Sequence, residues 1–304
     1  MGWEVELIAL LQKSPDSFSS MLDKVCSFIG GEMGLLVLVM IVLFCWKKEV
    51  GQRLALIIAA TTAWFAMIKA VVMRPRPYVE HPDQIKALTP VDAEASTTDV
   101  VAQGFSFPSI HSGSIVATCF TLARELKKKW FWILAIALML LVGVSRVATG
   151  NHYPTDVLAG WVLGFAVIGI FELLDRYVHK EWVRYLILLA VTLPGLFFVR
   201  TNDYFTALGL LIGVIAAIPF ERKFVNFQET RNIWAMVLRV LGAFAIYFAL
   251  NSLLKMPFGA EFLDSGTLSA LLVRSGRYAI ILFVIMGIYP KVFPLFEKLG
   301  KKNG

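Results

Sequence analysis

Apolar runs of roughly 20 residues, separated by short charged segments, recur along almost the whole chain, and that is the length a helix needs to cross about 30 Å of hydrocarbon. Runs at 29–46, 54–73, 109–123, 130–146, 157–174, 185–199, 204–220, 233–254 and, with breaks, 266–292 predict about nine crossings. Period-two alternation is absent, so the spans are helices: hydrocarbon offers the backbone no partners, and a helix satisfies its own N–H and C=O groups. Ahead of them, Leu7, Leu10 and Leu11, then Met21, Leu22, Val25 and Phe28, recur at helical spacing among charges. That pattern predicts short amphipathic helices over 1–28 that lie at the membrane interface and do not span it.

Composition agrees, since 58% hydrophobic and 17% charged residues over 304 positions exclude a soluble domain of this length. The formal charge of +7 would point to nucleic acid in a soluble protein. Here the cations sit in alternate loops: Lys47, Lys48 and Arg53; Arg124 and Lys127 to Lys129; Arg176, Lys180 and Arg184; Arg222, Lys223 and Arg231; and the tail Lys298, Lys301 and Lys302. Positive charge marks the cytoplasmic side, so no nucleic-acid partner is needed to explain it. The amino terminus is then outside and the carboxyl terminus inside. Segments 74–108 and 146–156 face out. Met1 to Leu11 carries Glu4 and Glu6 without a basic region, unlike a cleaved signal peptide. Cys26, Cys45 and Cys119 lack metal-ligand spacing and read as packing residues. The acidic stretch Tyr78 to Phe107, with Lys86 as its one lysine, reads as a mobile cover.

The outward segments hold the chemistry. Lys69 ends an apolar run, where an ammonium is costly unless it finds a partner. Seven residues on, Arg76-Pro77 follows Arg74-Pro75, so a stiff cationic stretch leaves the helix at once. Two such cations repel, and a doubly charged phosphate relieves the repulsion while accepting forked hydrogen bonds. Pro108-Ser109-Ile110-His111 precedes the next apolar run. Ser109 is placed as its N-cap, and the first turn offers free amides to phosphate oxygens. His111 in that turn can hold or release a proton near neutrality. Ser145-Arg146 closes one span and Pro154 opens the next, with His152 just outside and Asp156 in the first turn. A carboxylate bonded to one imidazole nitrogen leaves the other free to attack phosphorus.

These stretches resemble the type 2 phosphatidic acid phosphatase superfamily, whose pattern is K-x6-R-P, then P-S-G-H, then S-R-x5-H-x3-D. The first and third elements match in full; in the second, Ile110 stands where the family usually has glycine, although its backbone amide remains. The resemblance implies His152 as nucleophile of a phosphohistidine, Asp156 orienting it, and His111 protonating the leaving alcohol. Lys69, Arg76, Arg146 and Ser109, with the Ile110 amide, would hold the phosphoryl oxygens, with no metal or cofactor.

The expected fold is an all-α polytopic transmembrane bundle: an interfacial segment at 1–28, a six-span phosphatase-like core at 29–200, and about three further spans at 201–304 that carry no readable motif. The expected function is hydrolysis of a lipid phosphomonoester or diphosphate, such as phosphatidate, phosphatidylglycerophosphate or undecaprenyl diphosphate, at the outer face of a bacterial cytoplasmic membrane. A sugar phosphatase of the glucose-6-phosphatase branch, a phosphotransferase and a non-catalytic anion or lipid transporter stand as alternatives. The dilysine-like end Lys301-Lys302-Asn303-Gly304 fits the first of these, and positive-inside bias explains it as well. Arg274 and Arg277, near the outer end of the last span, either snorkel or help bind a lipid headgroup or a second phosphate. His81 and His179 read as solvated surface groups.

Overall fold

The computed structural model describes residues 2–301, so the dilysine-like end from Lys302 onward lies outside the described residues. Helices joined by turns, bends and irregular segments make up the described chain, with no strand among the described residues. The all-α polytopic bundle expected from the apolar runs is therefore what forms. Two compact units divide it: unit 1 is Met1–Leu35 with Trp64–Arg176, and unit 2 is Leu36–Ala63 with Tyr177–Gly304.

Unit 1 holds every motif residue of the phosphate constellation. Its elements are α1 (Gly2–Leu11), α2 (Asp16–Gly30), the start of α3 (Glu32–Ile41), the end of α4 (Lys48–Val72), the short α5 (Pro77–Glu80) and α6 (Val100–Gln103), then α7 (Ile110–Leu126), α8 (Lys129–Ala148) and α9 (Pro154–Tyr177). The helix α2 packs on α7 and α8 with its polarity reversed relative to a water-soluble helix. Ser19, Asp23 and Cys26 are buried, whereas Phe18, Met21, Val25 and Phe28 are exposed. In α1 Glu4 is buried beside Val5 and Ile8, while Trp3, Leu7 and Leu10 are exposed. The amphipathic periodicity is real, and its apolar stripe points away from the protein interior, as it does for lipid-facing helices.

The central element of unit 1 is α7. It starts at the Ser109 cap and ends at Lys127 in the left-handed region, and every residue from Ser112 to Ala123 is buried. Small residues let α9 approach it closely: a Cβ at Gly160 would stand 2.7 Å from the Ser109 carbonyl oxygen, and one at Gly164 would stand 2.7 Å from that of Gly113. An apolar cluster of Val5, Ile8, Tyr78, Val79, Ile85, Val147, Tyr153 and Val157 joins α1 to the loop after α4 and to the turn between α8 and α9.

In unit 2, α10 (Glu181–Thr192), α11 (Asn202–Phe224), α12 (Ile233–Leu253), α13 (Ala260–Asp264), α14 (Leu268–Phe283) and α15 (Phe293–Lys301) follow in order. The closest pair is α11 with α14, where Gly209 faces Ser275 and Gly213 faces Ala279 without side chains between. Phe44, Phe227, Tyr289 and Phe293 form an edge-to-face aromatic cluster. Arg239 lies 4.3 Å from the Phe293 ring and pairs with Glu297 at 3.0 Å.

The crossing count differs from the expected nine. Among the described residues six helices are long and apolar enough to cross a membrane, or seven if α2 and the helix from Glu32 to Trp46, bent by 45°, count as one span. The runs at 109–123 and 185–199 fold into helices of 17 and 12 residues, the second passing into a 3-10 turn at Leu193–Phe197. Capping at both ends shortens α7, and Pro194 tightens the end of α10. Replacing Gly164 with valine is expected to force α9 away from α7 and lower stability by about 1–3 kcal/mol, read as a fall in the unfolding temperature of detergent-solubilised protein.

Candidate active site

Four segments of unit 1 converge on His152. Lys69 lies in the last turn of α4, which ends where Met73 takes a positive φ of 50°. Its Nζ donates to the carbonyls of Phe105 at 2.7 Å and Ser106 at 3.0 Å. Arg76 caps α5 and is buried. Its Nε donates to the Gln103 carbonyl at 2.8 Å and its guanidinium to the Asn151 carbonyl at 3.0 Å. Backbone carbonyls hold both cations in place.

The loop read from sequence as a mobile cover supplies three of those four carbonyls, the fourth coming from Asn151 in the turn between α8 and α9, and the loop has a core of its own. Gln103 is fully buried, accepts from the Tyr78 hydroxyl at 2.8 Å and the Val91 amide at 3.0 Å, and donates to the Asp92 carbonyl at 2.8 Å. Ser109 caps α7 as expected, accepting from the Ser112 amide at 3.4 Å and the Ser112 hydroxyl at 2.9 Å. Ile110 and His111, the first residues of α7, are half-buried. The His111 ring lies against the break between α2 and α3, since a Cβ at Gly31 would stand 3.4 Å from its Nε2.

The turn from α8 to α9 carries the third motif. Gly150 takes a φ of 77°, the left-handed conformation that favours glycine, and a Cβ there would meet Ile85 and the Lys86 carbonyl at 2.8 Å. The turn returns the His152 amide to the Arg146 carbonyl at 3.2 Å and sets Asp156 in the first turn of α9. His152 Nδ1 and Asp156 Oδ2 are 3.7 Å apart, outside hydrogen-bond range, and Nδ1 has no hydrogen-bond partner. The sequence reading placed a hydrogen bond here. Asp156 instead spends Oδ2 on the Tyr153 amide at 2.8 Å and Oδ1 on Arg74 at 2.9 Å. Catalytic contacts are often loose before substrate binds.

Three charged residues that sequence reasoning left out of the site complete it. Glu4, fully buried, pairs with Arg74 at 2.9 Å and accepts from the Thr155 hydroxyl at 2.6 Å, while Arg74 lies 3.7 Å over the Tyr153 ring. Arg74 therefore bridges two carboxylates, Glu4 and Asp156. Asp23 on α2 forms a buried ion pair with Arg146 and accepts from Thr89 at 2.8 Å. The signals were faint: acids on the polar side of apolar amphipathic helices, and Arg74 within the Arg-Pro repeat.

Around His152 the field is positive. Burial pushes its imidazole well below the usual histidine range, and the positive charges of Arg76, Lys69, Arg146 and His111 push it further. The ring is thus neutral at neutral pH, as a nucleophile must be. The remaining expected residues lie elsewhere. Arg274 and Arg277 belong to unit 2, where they donate to Thr206 at 2.9 Å and Asn251 at 2.8 Å. His179 is exposed, and His81 is half-buried with its ring edge-on to Tyr153.

This constellation has known counterparts. The model of the PAP2 superfamily matches residues 51–180, and that of the PAP2 superfamily phosphatase transmembrane extension matches 205–302. The undecaprenyl-diphosphatase BcrC of Bacillus subtilis is 30% identical over 171 residues, 53% of this chain and 80% of BcrC. The chain belongs to the PAP2 superfamily. An undecaprenyl-diphosphatase of Sulfolobus acidocaldarius is 29% identical over 166 residues, 54% of this chain and 74% of the relative. Phosphatidylglycerophosphatase B of Bacillus subtilis is 38% identical over 89 residues, 25% of this chain and 44% of the relative. No solved structure gives a significant match. As a PAP2 protein the chain is a phosphoric ester hydrolase and a multi-pass membrane protein, in line with the resemblance carried by its motifs.

Two measurements probe this site. A proton bound to His152 is disfavoured in the folded protein, so the ring stays neutral down through pH 6.5 and charges only below it. Histidine NMR titration, with His152→Ala to assign the signal among the four histidines, is expected to show that, and Lys69→Met is expected to move the midpoint upward. Glu4→Gln removes one of the two carboxylates on Arg74 and leaves its full charge on Asp156. The variant is expected to lose about tenfold in kcat, close to 1.4 kcal/mol, with KM little changed in steady-state assays.

Proposed function

We propose that this protein hydrolyses a phosphomonoester or diphosphate carried by a membrane lipid, through a covalent phosphohistidine on His152. The observation that carries the reading is a buried His152 whose Nδ1 lies 3.7 Å from Asp156 Oδ2, with burial and the charges of Arg76, Lys69 and Arg146 pushing its imidazole below the usual histidine range. In the first step Nε2 of His152 attacks phosphorus and the bond from phosphorus to the lipid oxygen breaks. His111 donates its proton to that departing oxygen. In the second step water attacks phosphorus, His111 takes the proton from the water, and the phosphorus–nitrogen bond breaks to release phosphate and free His152.

Lys69, Arg76, Arg146, the Ser109 hydroxyl and the Ile110 amide stabilise the charge spread over the phosphoryl oxygens. That is the electrostatic work catalysis of phosphoryl transfer requires. Asp156 turns toward Nδ1 as positive charge develops on the ring. The names of the relatives support a lipid substrate over a sugar phosphate. Two relatives that each match more than half of this chain are undecaprenyl-diphosphatases, so a polyprenyl diphosphate is the first substrate class to test. Lys47, Lys48 and Arg53 gather at the end of α4 opposite residues 74–108, and Arg176, Lys180 and Arg184 at the end of α9 opposite residues 146–156; these single-span asymmetries support a site on the extracytoplasmic face of the cytoplasmic membrane.

Phosphate release by purified protein from undecaprenyl diphosphate, phosphatidylglycerophosphate, phosphatidate and glucose 6-phosphate tests the proposal. Release from a lipid is expected to persist in excess EDTA and to fall at least about a thousandfold in His152→Ala. Acid-labile, base-stable label on wild-type protein after a rapid quench is expected from the intermediate. Turnover by His152→Ala at the wild-type rate would remove it as nucleophile, and loss of activity in EDTA would contradict the metal-free route.

A further inference from the structure

Unit 2 contains two arginines that the proposed reaction does not use. Arg274 and Arg277 stand one turn apart on α14, so their side chains share one face of the helix. Arg277 lies nine residues beyond Leu268, about 14 Å along the helix at 1.5 Å per residue, deep within the candidate span Leu268–Lys298. It is buried, at 6% exposure, so it does not reach out along the surface to the water.

The partners of both guanidiniums are neutral. Arg277 donates to the Asn251 side-chain oxygen at 2.8 Å, and its Nε has no hydrogen-bond partner. Arg274 donates through Nε to the Thr206 hydroxyl at 2.9 Å, with its guanidinium 5.8 Å from the Tyr278 ring. Among the described residues no carboxylate pairs with either. Elsewhere in unit 2 the contrast is plain, since Arg239 pairs with Glu297 and Lys48 with Glu221. A buried charge in a membrane-spanning unit ordinarily carries its counter-ion with it. Two like charges on one face, one with an unsatisfied donor, leave a place for an anion. A phosphate group fits best, because it accepts planar forks from two guanidiniums and carries enough charge to offset both.

We infer that Arg274 and Arg277, supported by Thr206 and Asn251, form a phosphate-binding site within unit 2, its ligand a phosphate group borne by a lipid headgroup or free in solution. The inference stands apart from the reaction at His152. Asn251 and Thr206 hold the two guanidiniums at a fixed spacing from α12 and α11, so the site is preorganised by three helices.

Calorimetric titration of detergent-solubilised full-length protein tests this, using dihexanoyl phosphatidate and inorganic phosphate as probes. His152→Ala serves as the background so that nothing is turned over, and empty micelles provide the blank. Adding Arg274→Gln and Arg277→Gln is expected to remove one bound probe per chain or weaken it at least tenfold. Unchanged stoichiometry and affinity would overturn the inference. Phosphatidate bound in preference to phosphate would identify a lipid headgroup, and equal binding would identify free phosphate; both uphold the site. If the double variant fails to fold, Arg274→Gln alone, at the half-exposed position, is expected to weaken binding tenfold. Arg277→Lys is expected to retain it. Wild-type affinity in Arg274→Gln would then be the overturning result.

Discussion

Positive charge gathered around one buried imidazole is the constraint on which the rest of unit 1 depends. Lys69, Arg76 and Arg146 are all at least nine-tenths buried, and bringing such groups together out of water is costly unless each has somewhere to place its protons. The structure meets that need mainly with backbone carbonyls. Phe105, Ser106, Gln103 and Asn151 turn their oxygens inward to Lys69 and Arg76. Carbonyls satisfy donors while leaving net charge intact, so the field at His152 stays positive and the ring stays neutral. This explains why the loop after α5 is folded around Gln103: its backbone is part of the cation scaffold.

Charge is balanced further out by acids from the amino-terminal helices. Glu4 shares Arg74 with Asp156, and Asp23 holds Arg146. Each acid lies on the buried side of a helix whose other side is apolar and exposed. In water that polarity would be inside out. In a membrane unit it lets α1 and α2 present hydrocarbon to lipid and carboxylates to the interior. The two helices are integral to unit 1 for that reason.

What could be read from the chain follows how local the physics is. The all-α polytopic class came from the lengths of apolar runs, a property of each segment alone. The Ser109 cap and the position of Asp156 in the first turn of α9 depend on neighbours within four residues, and both stand as read. Glu4 with Arg74 and Asp23 with Arg146 are separated by 70 and 123 positions, and nothing in either local pattern names the partner. The hydrogen bond expected between Asp156 and His152 failed for the same reason, because Arg74 and the Tyr153 amide occupy the carboxylate. Two apolar runs of adequate composition became helices of 17 and 12 residues, since caps, a left-handed Lys127 and a proline set where they stop.

The pairing of Asp23 with Arg146 has a kinetic side. Asp23 occupies the Nη2 side of this guanidinium and leaves Nε without a hydrogen-bond partner, so any anion that engages the arginine shares it with a carboxylate already there and is held more weakly than it would be by a lone cation. When that anion departs, Asp23 is already in place as counter-ion and none is needed from solution. An internal competitor of this kind weakens capture and hastens escape, which suits a catalyst that must let go of phosphate far more than it suits a receptor built to retain it.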